Sequence, residues 1–318
     1  MASDKVRVVV VSGPTASGKS ELAIALARRF NGEIISADSR QVYAGMDLGT
    51  GKVSKSIPKL KVKSAKFKVR RNGDFYSDGV RHWMLDIADP KRQYPVAHFK
   101  RDAQKAIQDI VRRGKLPIIC GGTGFWIDAL VYDLSLPAVK PDAKLRAKLG
   151  KLSTVQLFTR LQKLDSARAT TIDRHNPVRL IRALEIVLAT GQPVPPVIRN
   201  SPYDILYLGI SLPMAKLKVR IKKRLDARLK HGMLAEVRRL HESGVSWKRL
   251  EAFGLEYRWV SRYLQKQIPR AHMHDGLLRD IIAYAKRQLT WWRKNPDVIG
   301  ITDAAHAGSL VNKFLKSA

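Results

Sequence analysis

The residues of this chain best suited to chemistry are Gly13, Pro14, Thr15, Ala16, Ser17, Gly18, Lys19 and Ser20. A β-branched run from Val6 to Val11 precedes them and an apolar-periodic segment follows. The spacing Gly13-x-x-x-x-Gly18-Lys19-Ser20 is that of a phosphate-cradling loop. Glycines let successive backbone N–H groups converge on an anion, and a helix N-terminus adds the positive end of its dipole. Lys19 then supplies a point charge, and the Ser20 hydroxyl is of the type that ligates the accompanying Mg2+. An ordinary glycine-rich turn between strand and helix is the bland alternative, and every defined position of the motif weighs against it. A pyrophosphate or a triphosphate is the implied ligand.

Three further groups bear on that ligand. Asp38, in Ser36-Ala37-Asp38-Ser39-Arg40-Gln41, ends the second predicted strand, where a carboxylate can act as a base, a magnesium ligand or only a helix cap. On position alone, capping is as good a reading as catalysis. Thr123 follows the glycine turn Gly121-Gly122, so it can share a crevice with Ser20. Arg220 and Arg224 stand at i and i+4 on a helix whose other face carries Leu217, Ile221, Leu225 and Leu229. Two guanidiniums so spaced can clamp a diphosphate, though a solvated basic face is the simpler reading of the pattern by itself. The eight histidines show no metal-ligand spacing, Cys120 reads as an inert buried thiol, and Trp291 reads as core packing.

Elements that could position these groups alternate along the chain. Strand-like runs at 6–11, 33–36, 83–87 and 116–120 alternate with helical stretches at 20–30 and 97–113, which predicts βαβ units and a parallel sheet. From Asp133 the pattern turns helical. Pro141 opens one segment, Asn176-Pro177 reads as an N-cap with proline at N1, and Thr190-Gly191 closes the last helix. The expected organisation is an α/β core of the phosphate-loop NTPase type over 1–132 and 200–318, with an inserted helical domain over 133–199. The sheet resumes at 205–210, helices dominate from Lys216, and the tail after Thr302 is expected to fray. Asn72-Gly73 reads as a hairpin tip.

Charge supplies the second clue. The 318 residues hold 59 Lys and Arg against 27 Asp and Glu, a net charge of +32. Such an excess costs self-repulsion on folding and points to a polyanionic partner, with nucleic acid first among them. A generally basic proteome is the weaker alternative. The stretch 51–71 alone carries nine Lys and Arg and no acid, as a solvated flap able to touch a phosphate backbone would. A single cysteine rules out an internal disulfide framework. No apolar run has the length of a membrane helix or a signal-peptide core, so a cytoplasmic protein with no membrane association is expected.

Taken together, the motifs resemble the tRNA dimethylallyltransferase (tRNA isopentenyltransferase) family. The resemblance is carried by the phosphate loop, by Ser36-Ala-Asp-Ser-Arg-Gln-Val-Tyr-Ala-Gly-Met-Asp-Leu-Gly-Thr-Gly-Lys52 and by Gly121-Gly-Thr-Gly-Phe-Trp-Ile127. It continues through Asn176-Pro-Val-Arg-Leu-Ile-Arg-Ala-Leu-Glu185, Arg220-x-x-x-Arg224, Gly232-Met-Leu-Ala-Glu-Val237, Phe253-Gly-Leu-Glu-Tyr-Arg258 and Tyr284-Ala-Lys-Arg-Gln-Leu-Thr-Trp291, spanning almost the whole chain. What this implies is transfer of a dimethylallyl group from dimethylallyl diphosphate to N6 of the adenosine immediately 3′ of the anticodon. The chain departs from the family at Gly254-Leu-Glu-Tyr257, where a Gly-Tyr pair is common, and its basic stretch 52–71 is longer than usual.

The resemblance also implies roles. Residues Gly13 to Ser20 with Arg224 would hold the diphosphate, Ser20 would ligate Mg2+, and Asp38, Thr123 and Arg220 would be catalytic, with Asp38 as proton acceptor. Asp38, Ser39, Arg40, Gln41 and Thr123 would also meet the target base. Arg146 and the segment Val178, Arg179, Leu180, Ile181 and Arg182 would contact the tRNA anticodon stem-loop, bound by a monomer. Three rivals stand beside this reading. A small-molecule kinase explains the loop but not the charge, a free-adenylate prenyltransferase needs no broad basic surface, and an RNA-binding protein with a degenerate site would not keep Lys19, Ser20, Asp38, Thr123 and Arg220 together.

Overall fold

A computed structural model describes residues 5–54, 70–196 and 198–317. Most of the basic stretch 52–71 lies outside the described residues. In chain order the elements are β1 (Val6–Ser12), α1 (Lys19–Arg29), β2 (Gly32–Ser36), β3 (Phe75–Ser77), β4 (Val80–Trp83), α2 (Val96–Arg112), β5 (Leu116–Gly121) and α3 (Gly124–Val131). Then come α4 (Ala143–Leu149), α5 (Thr154–Leu164), α6 (Ser166–Thr171), α7 (Pro177–Thr190), β6 (Tyr203–Ile210) and α8 (Met214–Lys230). The last are α9 (Met233–Glu242), α10 (Trp247–Ala252), α11 (Leu255–Leu264), α12 (Arg270–Arg293), β7 (Val298–Ile301) and α13 (Ala304–Lys316). The chain forms two compact units, 1–133 with 201–318, and 134–200.

The first unit is built on a seven-stranded sheet in the order β3-β4-β2-β5-β1-β6-β7. Every pairing is parallel except the β3–β4 hairpin. Val8, Val9, Val10 and Val11 are all fully buried, because β1 lies mid-sheet with both faces covered and so carries a continuous apolar run rather than an alternating one. The adjacent strands β2, β5 and β1 end together, with Ser36 opposite Cys120 and Ser12 opposite Gly121. Their carboxyl ends therefore deliver the loops after Ser36, Gly121 and Ser12 to one place. The turns are tied to one another: Ala37 N donates to Cys120 O at 2.8 Å and Thr123 N to Ala37 O at 3.3 Å. Gly121 is required here, since a Cβ on it would sit 2.2 Å from the Ala37 carbonyl oxygen.

The second unit is a small helical bundle around Leu149, Leu157, Leu161, Leu180 and Leu184. Its helix ends follow local rules. Asn176 caps α7 by accepting from Arg179 N at 3.2 Å, Pro177 opens that helix, and Gly191 closes it at φ 65°.

Four local expectations are corrected. The hairpin tip is Asp78-Gly79, both at positive φ, as a two-residue turn of matching twist demands. Asn72-Gly73 instead makes a separate turn that precedes β3, closed by Asp74 N donating to Arg71 O at 3.1 Å. The run 83–87 is not a strand beyond Trp83, because Met84 and Asp86 adopt positive φ and the buried Asp86 carboxylate turns to Lys52 and Arg70. The tail after Thr302 does not fray. Asp303 caps α13 by accepting from His306 N at 2.8 Å, and Ala307 and Val311 join the core of β1, β5 and β6. Trp291 is not core: it is half-buried and donates to Asp128 Oδ2 at 3.1 Å, while its neighbour Trp292 is buried, as are Trp83 and Trp126.

A docked α13 has a measurable consequence. Val311→Ala is expected to lower unfolding stability by about 1–3 kcal/mol in denaturant titration, the cost of two buried methyl groups and the void they leave. An unchanged midpoint would return the tail to the frayed state.

Candidate active site

The loop after β1 is built to receive an anion. Lys19 opens α1, and no side chain caps its N-terminus, so the first backbone N–H groups face outward without an internal acceptor. Gly18 precedes them at φ 95°, and Ala16, at φ 64°, is a strained non-glycine residue within the cradle. Lys19 Nζ reaches back to Pro14 O at 3.3 Å.

A cavity opens beside the loop. Its inner part is lined by Thr15, Lys19, Ser20, Asp38, Arg40 and Gln41 and by Gly49, Thr50 and Gly51 on the facing wall, with Arg224, Arg228, Tyr284 and Gln288 contributed by the later helices. An outer mouth is formed by Ala16 to Glu21 with Arg220, Arg224 and Arg228. Lys19, Ser20, Arg224 and Arg228 belong to both, so the two are one continuous recess.

The cations in this recess are crowded. Burial lowers the Lys19 pKa, and Arg224 and Arg228 add to the fall, although Cys120 and Asp38 oppose it. Burial, and then Arg228, hold the Arg224 guanidinium down at about 10. Burial lowers Arg228 as well, against the pull of Glu256. Arg224 donates to Thr15 Oγ1, and Arg220 Nη1 lies 3.5 Å from Ser17 O. Three guanidiniums at i, i+4 and i+8 thus face the phosphate loop from one side of α8. A site where positive charge is buried and self-repelling is a site completed by an anion.

Asp38 divides its two oxygens between the loop and the cavity. Its Oδ1 accepts from Arg40 N at 2.9 Å and from Gln41 N at 3.4 Å, a local cap. Its Oδ2 has no hydrogen-bond partner among the described residues, and the residue lines the cavity. Thr123 stands at the edge of this group. Its Oγ1 accepts from Ser39 N at 3.1 Å and lies 3.5 Å from Ser39 Oγ, so it braces the Asp38 loop, and it also bonds Tyr284, which lines the recess. Burial raises the Cys120 thiol to about 11, which keeps it protonated beside the loop.

Several site residues went unread in the sequence. Arg228 continues the Arg220–Arg224 spacing by one more turn, a signal that was present. Gln288 bridges the two glycine turns, accepting from Thr15 N at 2.8 Å and donating to Gly122 O at 2.7 Å. Glu256 binds Arg40 at 3.2 Å and Arg228 at 3.3 Å, so the Leu255-Glu256 pair that departs from the family pattern supplies the counter-charge of the site. Burial opposes the charge on Arg40, and Glu256 and Asp38 outweigh it, raising its pKa.

In the helical unit the read-out of contact residues is mixed. Val178 and Arg179 are exposed and Ile181 is half-buried, but Leu180 is fully buried and cannot offer its side chain to a ligand. Arg146 and Arg182 both grip the buried Glu185, Arg146 at 2.8 Å through two nitrogens, and Arg182 Nη2 also donates to Val139 O at 2.9 Å. Burial would raise the Glu185 pKa, but hydrogen bonds from Arg146 and Arg182 bring it down to about 2.

Comparison with known proteins now decides the family. Residues 41–295 match the family model "IPP transferase", and residues 6–63 match "Isopentenyl transferase". The chain belongs to the IPP transferase family. It is 41% identical over 297 residues to tRNA dimethylallyltransferase 2 of Treponema denticola, covering 92% of this chain and 93% of that one. The full-length tRNA isopentenylpyrophosphate transferase of Bacillus halodurans superposes with a TM-score of 0.69 at 31% identity, covering 98% and 97% of the two chains. A eukaryotic dimethylallyltransferase described as acting on tRNA superposes with a TM-score of 0.72 at 25% identity over 97% of this chain and 77% of that one. The sheet, the phosphate loop and the arginine-bearing helix therefore sit in a family of prenyl-group transferases. Among the described residues no helix is long and apolar enough to cross a membrane, and no cluster of three His, Cys, Asp or Glu is arranged to hold a metal ion.

Two measurements check this electrostatic account. Arg224 is depressed when folded, so below about pH 10 the folded protein carries its charge at a cost. Arg224→Met is expected to raise the melting temperature of the ligand-free protein while weakening pyrophosphate binding about tenfold to a hundredfold by calorimetry. Loss of both stability and binding would contradict it. Glu185 is depressed as an acid, so its contribution is complete above its unfolded pKa near 4.5 and is lost as pH falls toward 2. Glu185→Gln is expected to cost about 3 kcal/mol at pH 7 and to flatten the stability profile between pH 4.5 and 2.

Proposed function

We propose that this protein transfers a dimethylallyl group from dimethylallyl diphosphate to N6 of the adenosine 3′-adjacent to the anticodon of tRNA, giving N6-isopentenyladenosine and diphosphate. The observation that carries the reading is the meeting of Lys19, Arg224 and Arg228 with Asp38 in one recess. A net charge of +32 and the kinship with tRNA dimethylallyltransferases support tRNA as the acceptor. The helical unit would add contact through Val178, Arg179 and Ile181. The enzyme would work in the cytoplasm as a monomer.

The chemistry follows from the lining residues. The amides at the start of α1 with Lys19, Arg224 and Arg228 hold the diphosphate, and Arg220 guards the mouth. As the N6–C1 bond forms, the C1–O bond breaks and its electron pair leaves with the diphosphate. The extra negative charge appears where the cations are already in place, so stabilisation needs no reorganisation. Asp38 Oδ2 accepts the N6 proton. The amine is a weak nucleophile, so holding it in line with C1 contributes as much as the base does. Extraction of the base from its stack is easier from a loop than from a duplex.

The donor set fits Mg2+ only together with a bound diphosphate. Ser20 is a single hydroxyl at the cradle, and Mg2+ commonly takes one or two protein oxygens with phosphates and water completing its shell. When bound, the ion would supply charge neutralisation to the leaving diphosphate.

The test uses purified protein, Mg2+, labelled dimethylallyl diphosphate and an unmodified tRNA, with AMP in parallel. Label recovered as N6-isopentenyladenosine from tRNA and absent from AMP is expected. Label in AMP alone would keep the site and change the acceptor, and label in neither would end the prenyltransferase reading. Asp38→Asn is expected to lower kcat by about 10²–10⁴-fold with little change in donor KM, and a wild-type rate would remove the base from the mechanism.

A further inference from the structure

The facing wall of the recess is the loop 47–51, and it is held by a single buried side chain. Glu236, 2% exposed, projects from the first turn of α9 toward this loop. Its Oε2 accepts from Asp47 N at 3.0 Å and Leu48 N at 2.6 Å. Its Oε1 accepts from Gly49 N at 3.0 Å and from the Tyr257 hydroxyl at 2.8 Å. A carboxylate is the one side chain that accepts four such bonds and donates none. Three consecutive amides converging on one group form a nest whose occupant here is internal.

Everything on the other side of the loop belongs to the site. Gly49, Thr50 and Gly51 line the recess, Gln41 Nε2 donates to the carbonyls of Thr50 and Gly51 at 3.3 Å, and Arg228 Nη1 lies 3.5 Å from Gly49 O. A Cβ on Gly51 would overlap the Arg228 guanidinium, and one on Gly49 would stand 2.7 Å from the Tyr257 ring. The loop is thus a thin plate, clamped by α9 and α11 on one face and seating Arg228 on the other. No other described group on those helices bonds its amides.

We propose that Glu236 is a positioning residue for donor binding: by fixing the amides of residues 47–49 it holds Gly49 to Gly51 where Arg228 and the diphosphate meet. This rests on the prenyltransferase reading for its substrate, though the clamp itself does not. A neutral amide at 236 keeps one acceptor oxygen and turns two donors on groups that are donors themselves, so part of the clamp opens. Glu236 touches neither the recess nor the base side of the site, so the acceptor should not sense the change.

The experiment compares wild type, Glu236→Gln and Tyr257→Phe. Three readouts are taken: hydrogen exchange at the amides of 47–49, calorimetric binding of inorganic pyrophosphate, and separate KM values for dimethylallyl diphosphate and tRNA. For Glu236→Gln the expected result is exchange accelerated at 47–49 more than in the sheet, pyrophosphate and donor affinity weakened about tenfold, and tRNA KM within twofold of wild type. Tyr257→Phe, which removes one of the four bonds, should shift the same readouts less. Uniformly faster exchange, donor KM unchanged, or donor and tRNA KM raised alike would each overturn the proposal. Should wild type label no tRNA, the functional reading falls, while exchange and pyrophosphate binding still decide the clamp. If Glu236→Gln does not fold, the graded effect of Tyr257→Phe decides it.

Discussion

The constraint on which this structure turns is the burial of like charges against one loop. Lys19, Arg224 and Arg228 stand around the cradle with their charged forms disfavoured by burial and by one another. In an isolated helix, arginines at i, i+4 and i+8 would point into water. Here the packing of α8 against α9 and α12 turns that stripe onto the carboxyl edge of the sheet. Glu256 and Asp38 offset part of the repulsion, and the remainder favours an anion in the recess. The same arrangement explains how binding becomes catalysis. A diphosphate ester gains charge as its carbon–oxygen bond opens, so a site with surplus positive charge favours the separated state over the intact one.

The supporting structure follows from that demand. Two glycine turns must approach closely to bring Lys19 and Asp38 to one recess, and Gly121 admits the Ala37 carbonyl for that reason. Gln288 joins the same turns by one donor and one acceptor. Thr123 fixes Ser39 and bonds Tyr284 of the recess lining. Each of these side chains serves geometry, and the chemistry is left to a small set.

What could be read in advance was local in origin. The valine run, the glycine spacing and the Asn176-Pro177 cap each fix their own backbone, and all three are found where they were expected. Asp303 as a helix cap is equally local, and it seats α13 where composition alone suggests a frayed tail. Gln288, Glu236 and Glu256 belong to another order. Their partners lie 166–273, 21–189 and 28–216 residues away, and no spacing rule reaches across such gaps. Leu180 and Arg179 are neighbours in sequence with opposite fates, because α7 turns one into the core and the other into solvent. A motif read as a string cannot separate them; the helical period can.

The distribution of acids gives the net charge its meaning. Glu33, Asp86, Asp128, Asp165, Glu185, Glu236 and Glu256 are buried as whole residues, whereas among the described residues the Lys and Arg are at most half-buried as whole residues, even where a charged end is enclosed as in Lys52. The chain has only 27 acids, and it commits these to internal work: clamping a loop, seating guanidiniums, capping helices. A buried carboxylate still counts in the net charge, but it presents no like charge at the surface for a phosphate backbone to meet at close range. The surface is therefore left with few acids to interrupt its lysines and arginines. A protein that needed only solubility could have distributed its charge in either sign. A small anion in a recess and a large one at the surface make different demands, and this division meets both, since the inner acids tune the recess while the outer face keeps few acids at contact range.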